Sequence, residues 1–217
     1  MAIVRRKPRT SSTRYQSYIS SKGITKKKPE KRLVTGMRKS GGRNVYGRIT
    51  VRHRGGGARQ KYRVIDFGRS HKDVQGRVTA IEYDPNRNVN IALITYVSGA
   101  KGYILRPEGL EVGDTVLASE QAEARVGNAL PLKGVPVGFM VHNVEIRPQS
   151  KGTFARSAGA AAQIMGKAEG YVTLKMPSGE VRMVPQDSWA SVGVLGNADY
   201  QNISWGKAGR ILHKGFR

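Results

Sequence analysis

The sequence has no cysteine among its 217 residues. Disulfide bonds and thiolate metal sites are therefore excluded, and the absence fits a reducing compartment. No apolar run reaches about 18 residues, so no membrane-spanning helix is predicted. Helical periodicity is also missing over any stretch of about 11 residues or more. The N-terminal sequence MAIVRRKPRT lacks the apolar core of a secretory signal; an Arg-rich organellar transit peptide is the alternative, although the basic pattern runs on without a processing boundary.

Acidic residues are almost absent from the first third of the chain. Residues 1–72 carry 22 Lys and Arg but only two acids, Glu30 and Asp66. Residues 73–196 balance 12 basic against 12 acidic side chains, and residues 197–217 hold four basic residues and one acid. The net charge of +23 is therefore concentrated at one end of an otherwise neutral body, which indicates a polyanionic partner.

Nucleic acid is the favoured polyanion. Residues 1–40 combine RRKPR, TKKKPEKR and MRKSGGR with Pro8, Gly23, Pro29 and Gly36, and no apolar stripe accompanies them. A basic helix that binds a membrane surface would need such a stripe. We therefore predict a basic flexible arm that is disordered when free and ordered by phosphate contacts. A solvated tail, a nuclear-localisation signal or a heparin-like patch would explain the arm, but not the basic residues that continue to position 72.

Short strands are predicted throughout residues 41–119. Strand-like patterns cover RITVRH, KYRVIDF, GRVTAIEYD, NVNIALITYV, KGYILRP and LEVGDTVLAS. The tetrapeptide DPNR at residues 84–87 is a strong turn, because Pro85 presets φ and Asn86 tolerates a left-handed conformation. Several short strands in so short a span predict an OB-like, RNA-binding barrel.

The second half of the chain predicts another small β domain. Residues 120–136 are mixed in charge and rich in Gly and Pro, and they are predicted to be a connector. In the β unit at residues 137–196, YVTLKM and EVRMVP flank Pro177-Ser178-Gly179, which predicts a hairpin. Residues 197–217 form a basic C-terminal tail. The predicted fold is all-β: an OB-like barrel followed by an SH3-like barrel, with an extended basic N-terminal arm and a C-terminal tail.

The densest candidate binding segment is GGRNVYGRITVRHRGGGARQKYR, at residues 41–63. Backbone N–H groups around Gly41-Gly42 and residues 55–57 could form anion-binding nests. Arg forks pair with phosphate in a bidentate manner, so they position a nucleic-acid backbone without reading its sequence. A Gly-rich hairpin with an Arg-rich solvent face is the alternative, but one turn rarely needs so many glycines and cations together. The candidate ligands in this segment are Arg43, Arg48, Arg52, Arg54, Arg59, Lys61 and Arg63.

Catalytic and metal-binding patterns are weak. ARSAG has Ala155 where a nucleophile elbow requires Gly, and GKAEG and GKAGR lack P-loop spacing. The histidines are scattered, with no cysteine to help them hold a metal. Aromatic residues are few and are not spaced as a base-stacking platform, so we expect backbone and shape recognition of folded RNA. No catalytic residue, metal ligand, cofactor or small-molecule substrate is predicted.

A series of motifs along nearly the whole chain resembles one known family. In order, they are SGGRN, GRIT, RHRGGG, YRVIDF, IEYDPNR, NIALI, YILRPEGL, GNALPL, PVG, VHNVE, ARSAG, YVTLKMPSGE and GKAGR. They are similar to the universal large-subunit ribosomal protein two family in its bacterial or plastid form. The resemblance implies an OB-like and an SH3-like barrel whose arm and C-terminal extension thread into large-subunit rRNA.

The same resemblance implies a non-enzymatic, structural role on the ribosome. Its expected parts are large-subunit assembly, subunit association and support of the peptidyl-transferase centre, in a bacterial cytoplasm or in an organelle. The implied partners are large-subunit rRNA, other ribosomal proteins and the small subunit, without a membrane.

Motif matching carries the family's rRNA-contacting positions onto Arg69 and Lys72 after YRVIDF, onto Arg87 in DPNR and onto Arg156 in ARSAG. Gly68 departs from the Lys that is usual in the family, which weakens the contact expected there. The threaded tail adds three more candidate rRNA ligands: Lys207, Arg210 and Lys214.

Members of this family continue beyond the GFR motif at residues 215–217 into a Gly- and His-containing extension near the catalytic centre. The present sequence stops there, through truncation or loss, so a role for such a histidine is not carried over. Two rivals from other classes stay open at this point. A free-standing translation or chaperone factor would sediment apart from ribosomes, and an RNA-processing enzyme would need a convergent carboxylate or His/metal site.

Overall fold

The computed structural model describes residues 3–216. Residues 1 and 2 of the predicted arm and residue 217 of the predicted tail lie outside the described residues. Within that range, none of the helices combines the length and the apolar character needed to cross a membrane.

Short strands supply most of the regular structure, as the all-β prediction requires. The strands are β1 (Ile3–Arg5), β2 (Ser17–Ile19), β3 (Val34–Gly36), β4 (Lys61–Arg63), β5 (Gly76–Glu82), β6 (Ile91–Tyr96), β7 (Lys101–Leu105), β8 (Thr115–Val116), β9 (Ala129–Pro131), β10 (Met140–His142), β11 (Val144–Glu145), β12 (Gly152–Phe154), β13 (Ala162–Ala168), β14 (Tyr171–Lys175), β15 (Val181–Pro185) and β16 (Trp189–Val192). The α-helices are α1 (Ser11–Arg14) and α2 (Ala208–Lys214), and short 3-10 helices lie at Lys31–Leu33, Leu132–Gly134 and Ala198–Asn202. The all-β class is therefore confirmed.

The first barrel is built on an antiparallel sheet in the order β7-β6-β5-β8. Its central strand β6 has the sequence IALITY, which is apolar on both faces because both faces are covered. Ile91 and Leu93 enter one apolar cluster together with Tyr103, whereas Ala92 and Ile94 enter a second cluster on the opposite face. A bulge in β5 bends the sheet, as closure of a small barrel requires.

The second barrel is a six-stranded sheet in the order β15-β14-β13-β10-β16-β9. The hairpin β14–β15 closes at Pro177-Ser178-Gly179, as predicted, with Gly179 in the left-handed region at φ 88°. Val172 and Leu174 of β14 alternate inward and join a single apolar cluster with residues from the other strands. This alternation is the half-buried pattern that the sequence displays.

Two segments differ from the sequence prediction. The run RITVRH at residues 48–53 alternates like a strand, yet it lies in an irregular loop in which Arg43 and Ile49 form an isolated bridge. The predicted connector at residues 120–136 contains β9, which pairs with β16, and its Leu130 and Leu132 are buried in the second core. The connector therefore belongs largely to the second barrel, because its apolar residues complete that core.

The predicted arm is partly docked on the first barrel. The backbone N–H of Glu30 donates to the hydroxyl of Tyr103 at 2.8 Å, and that hydroxyl donates to the carboxylate of Glu82 at 2.8 Å. Burial raises the pKa of Glu82, while the hydrogen bond from Tyr103 and the charge of Lys26, 3.7 Å away, oppose that rise. Since β3 also pairs with β4, residues 26–36 belong to the folded body.

The two barrels meet around the backbone of Phe67. Its carbonyl accepts hydrogen bonds from Asn143 Nδ2 at 2.9 Å and from the backbone N–H of Gly152 at 3.2 Å, both in the second half of the chain. A second link between the barrels is an isolated antiparallel β-bridge between Pro107 and Leu195. These hydrogen bonds and this bridge fix how the loops of one barrel face those of the other.

His142 lies in the interior near this junction. Its Nδ1 is 2.8 Å from the carbonyl of Gly193. Burial lowers the pKa of His142 from its usual 6.5 to about 4; the Gly193 hydrogen bond opposes this shift, and the charge of Arg69 adds to it. Between pH 6.5 and about pH 4, the unfolded chain therefore binds a proton at His142 that the folded chain does not bind.

We predict that His142 makes the stability of the protein depend on pH. As the pH falls from 6.5 towards 4, protonation of His142 in the unfolded chain should lower the free energy of unfolding by up to about 3 kcal/mol. His142→Gln should flatten that part of the pH dependence in denaturant titrations. The exposed His213→Gln is the matched control and should leave the dependence as it is; equal slopes in all three proteins would contradict the prediction.

Candidate RNA interface

Most of the cations predicted to bind RNA lie at the protein surface. The exposed ones are Arg48, Arg52, Arg54, Arg59, Lys61, Lys72, Arg156, Lys207 and Lys214. The half-buried ones are Arg43, Arg87 and Arg210. Their side chains are available to phosphate oxygens, either directly or after a small rearrangement.

Two predicted ligands, Arg63 and Arg69, are buried instead. Arg63 is 8% exposed and its guanidinium donates to the carbonyl of Lys61, while Arg69 is 5% exposed and donates to the carbonyl of Gly127. Burial lowers the pKa of Arg69, and the nearby Tyr96 and Asp66 oppose that shift. Both side chains are almost fully covered in the free protein, and their contact with rRNA stays a prediction. We therefore assign both arginines to the folded body, with Arg69 tying the first barrel to the start of the second.

Part of this surface is a cleft of about 650 Å³ between the barrels. The ring of Phe67 lies in its wall, with the guanidinium carbon of Arg156 at 4.6 Å and that of Arg87 at 5.6 Å from the ring centroid. Arg156 comes from the loop between β12 and β13, and Arg87 comes from the turn after β5. The fold thus brings two cations that are distant in sequence onto one aromatic ring, where cation–π attraction holds them in place.

Arg87 is also held by the turn that carries it. Its Nη1 pairs with the carboxylate of Asp84, which is fully buried, and its Nη2 donates to the hydroxyl of Tyr62 at 3.1 Å. The other oxygen of Asp84 accepts from the backbone N–H of Asn86 at 2.9 Å. DPNR is therefore more than a turn: Asp84 orients Arg87 and neutralises part of its charge.

A second cleft, of about 870 Å³, runs beside the Gly- and Arg-rich loop at residues 40–60. The tail closes this loop. Gly55 N–H donates to the carbonyl of Gly215 at 2.9 Å, Ala58 N–H donates to that of His213 at 2.8 Å, and the guanidinium of Arg54 lies 4.7 Å from the centroid of Phe216. Loop and tail thus form one structural unit.

The two clefts are continuous with each other. Tyr62, Asn86, Arg87 and Asn88 line both of them. An extended polyanion could therefore pass from Arg156, across Phe67 and Arg87, to the Gly-rich loop without leaving the protein surface. Of the predicted ligands, Arg54, Arg87, Arg156 and Lys214 line these clefts. Lys72 lies elsewhere, with its ammonium 4.3 Å from the ring centroid of Trp189.

The sequence predicts Arg87 and Arg156 as ligands but does not predict the aromatic groups between them. Tyr62 and Phe67 belong to KYRVIDF, whose pattern predicts a plain strand. The sign of these aromatic groups in the sequence is that KYRVIDF has an aromatic residue near each of its ends. It cannot reveal that the second barrel supplies Arg156 to the same ring, because that interaction joins residues far apart in the chain.

The residues of this surface suit electrostatic binding. Among residues 3–216, no group of three or more His, Asp or Glu side chains is placed to hold a metal ion. Cations and glycine backbone N–H groups bind phosphate and so position an RNA strand.

We predict that Gly57→Ala detaches the tail from the loop. Gly57 has a φ of 60°, and an added Cβ would lie 2.7 Å from the backbone nitrogen of Gly215. The strain and the clash should cost more than about 1 kcal/mol of local stability. Trypsin should then cleave after Lys207 and Arg210 severalfold faster than in the parent protein.

Gly56→Ala is the matched control for that experiment, because an added Cβ would meet nothing within 4 Å there. Its cleavage rate should equal that of the parent. Equal rates for the two variants would show that the loop does not hold the tail.

Comparison with known families agrees with this surface. Residues 30–118 match Ribosomal Proteins L2, RNA binding N-terminal domain, and residues 125–217 match Ribosomal Proteins L2, C-terminal domain. The boundary between the matches falls just before β9, where the structure also begins its second barrel. With both domains matched in order, the chain belongs to the ribosomal protein L2 family and serves as a structural, rRNA-binding protein of the large ribosomal subunit.

Proposed function

We propose that the chain docks on one folded site of large-subunit rRNA, with the RNA backbone following the continuous clefts from Arg156 past Phe67 to the Gly-rich loop. The observation that carries this proposal is the convergence of Arg87 and Arg156 on the ring of Phe67. Because the two arginines come from different barrels, only RNA of the right shape can reach both at once. Such a site recognises shape and backbone, which is the main mode for folded RNA.

The charge distribution supports the same proposal. The cations outside the clefts raise the local concentration of RNA, and each phosphate that they neutralise releases counterions. The balanced charge of residues 73–196 allows the barrels to fold without strong self-repulsion. The barrels then serve as a rigid support for the RNA-binding side chains.

We further propose the finer roles that the family resemblance implies. They are support of large-subunit assembly, contact with other ribosomal proteins and with the small subunit, and support of the rRNA around the peptidyl-transferase centre. The proposed location is the ribosome of a bacterial cytoplasm or of an organelle. No catalytic residue is assigned, since peptide-bond formation in this family belongs to RNA.

We predict that Arg156→Ala weakens binding to large-subunit rRNA about tenfold, because the variant cannot make a charge-assisted hydrogen bond to a phosphate. Arg156 is exposed, so the free energy of unfolding should change by less than about 1 kcal/mol. Filter binding over a salt series measures the effect. The slope of log K against log salt should fall by about 0.7–0.9 for each phosphate that the variant no longer neutralises. An unrelated duplex RNA of equal length measures non-specific binding.

Arg125→Ala is the matched control, because Arg125 is also exposed but pairs with Glu123 away from the clefts. It should bind rRNA within about twofold of the parent. Arg87 needs a milder change than alanine, since Arg87→Ala would leave Asp84 buried without its cation. Arg87→Lys keeps the charge but removes the fork. Equal affinities of the Arg156 and Arg125 variants for rRNA would overturn the proposed path.

A further inference from the structure

A third cavity, of about 480 Å³, lies where the N-terminal arm, the end of β5 and the C-terminal tail meet. Its volume is within the range of about 300–1,000 Å³ found for small-molecule sites. Four aromatic side chains line it: Tyr18, Tyr83, Tyr200 and Trp205. They are scattered over most of the sequence, which is why spacing along the chain gives no sign of a stacking site.

The aromatic rings are arranged so that a flat group can enter between them. Tyr200 and Trp205 meet edge to face, with centroids 6.2 Å apart and an interplanar angle of 64°. Tyr83 is 55% exposed although the phenol lies at the cavity wall, so its ring is open to a ligand. An indole and phenols in this setting are typical platforms for stacking.

Asn197 also lines the cavity, and its side chain is held in one orientation. The side-chain Oδ1 of Asn197 is buried and has no hydrogen-bond partner among the described residues. The amide nitrogen of the same side chain donates to the carbonyl of Asn88, so the orientation of the group is fixed. Because the Oδ1 oxygen has almost no accessible surface, it belongs to the wall of the cavity and is not a contact for a ligand.

Cations surround the same cavity. Lys27, Arg210 and Lys214 line it, and the ammonium of Lys214 lies 3.5 Å from the ring centroid of Trp205. Burial and the charge of Arg210 lower the pKa of Lys214. In the free protein, the Lys214 ammonium therefore covers the face of the Trp205 indole. The Lys214 side chain is flexible, so its ammonium can move to a phosphate when a flat ligand stacks on the indole.

The cavity adjoins the second cleft, which runs beside the Gly-rich loop at residues 40–60 and is called the Gly-rich cleft below. Tyr83, Tyr200 and Lys214 line both spaces. An RNA strand whose phosphates lie along the cleft would therefore carry one of its bases past the mouth of the aromatic cavity. We propose that this cavity binds a single unstacked nucleobase of the RNA strand that follows the cleft, with Tyr83, Tyr200 and Trp205 as stacking partners.

This inference rests on the proposed rRNA binding and adds a base-stacking site to it. Lysine and aromatic rings could also attract an anionic protein segment, but the adjoining cleft of glycine backbone and arginine favours RNA. The site does not depend on any particular base, since every base has a face that can stack.

The test uses the intrinsic fluorescence of the full chain carrying Trp189→Phe, which leaves Trp205 as its only tryptophan. Large-subunit rRNA is added to saturation, with binding followed separately by filter retention. Inorganic polyphosphate serves as a ligand that occupies the cations but has no bases. We expect rRNA to quench Trp205 emission by at least about twofold, because a base stacks on the indole. Polyphosphate can only draw the Lys214 ammonium away from the ring, so it should change the emission much less than rRNA does.

A variant pair gives an independent readout. Tyr83→Ala should weaken rRNA binding about tenfold, the typical cost of removing one stacking partner. Tyr171→Ala, at an exposed position of β14 away from the cavity, should bind within about twofold of the parent. Unfolding curves of both variants show whether the proteins are equally folded.

The outcomes separate the two proposals. If rRNA binds but Trp205 emission is unchanged, or if polyphosphate changes it as much as rRNA does, the nucleobase site is wrong and the rRNA binding stands. If rRNA does not bind at all, the proposed docking path fails and the nucleobase site fails with it. Quenching by rRNA that exceeds any change with polyphosphate, together with the weaker binding of the Tyr83 variant, supports the site.

Discussion

The carbonyl oxygen of Phe67 is the acceptor on which the arrangement of the interface depends. It receives N–H groups from Asn143 and Gly152, and so the backbone of the first barrel is held directly against the second. Gly152 can occupy its place only because it has no side chain: a Cβ there would collide with Asn143 Oδ1. The ring of Phe67 follows its backbone, and both Arg87 and Arg156 rest on that ring. The relative position of the two cations is thus set by backbone hydrogen bonds rather than by flexible side chains.

A chain with so large a positive charge also has to place its few acids where they stabilise the fold. The two acids of residues 1–72 both have such positions. Glu30 pairs with Lys101 at 3.2 Å, which lowers its pKa, and Asp66 accepts from the backbone and the hydroxyl of Ser70. Asp84, further along, holds Arg87. The acids thus orient or anchor basic segments, and most of the remaining positive charge is left free at the surface.

Local sequence is sufficient to predict those features that local chemistry controls. The hairpin at Pro177-Ser178-Gly179 and the turn at DPNR follow from backbone preferences, and the buried strand β6 follows from its apolar run. The strand prediction for RITVRH is wrong because a strand also needs a neighbouring strand with free N–H and C=O groups. Here the N–H groups of Thr50 and Val51 donate instead to the carbonyl of Gly42 within the same loop. The burial of Arg69 cannot be foreseen, since its acceptor at Gly127 is 58 residues away. The aromatic cavity is hidden for the same reason, because its walls come from both ends of the chain.

The joining of the two ends has a consequence for the order of events during protein synthesis. Ser204 N–H donates to the hydroxyl of Ser17 across 187 residues, and the loop around Gly57 is closed by Gly215. Such hydrogen bonds cannot form until the last of these residues has left the exit tunnel, and long-range closure is slow in any case. A nascent chain can therefore fold its first barrel and hold Arg87 in place early, while the Gly-rich cleft and the aromatic cavity stay incomplete. RNA that meets the unfinished protein would then find the cations of residues 1–72, but neither the closed Gly-rich loop nor the complete aromatic cavity.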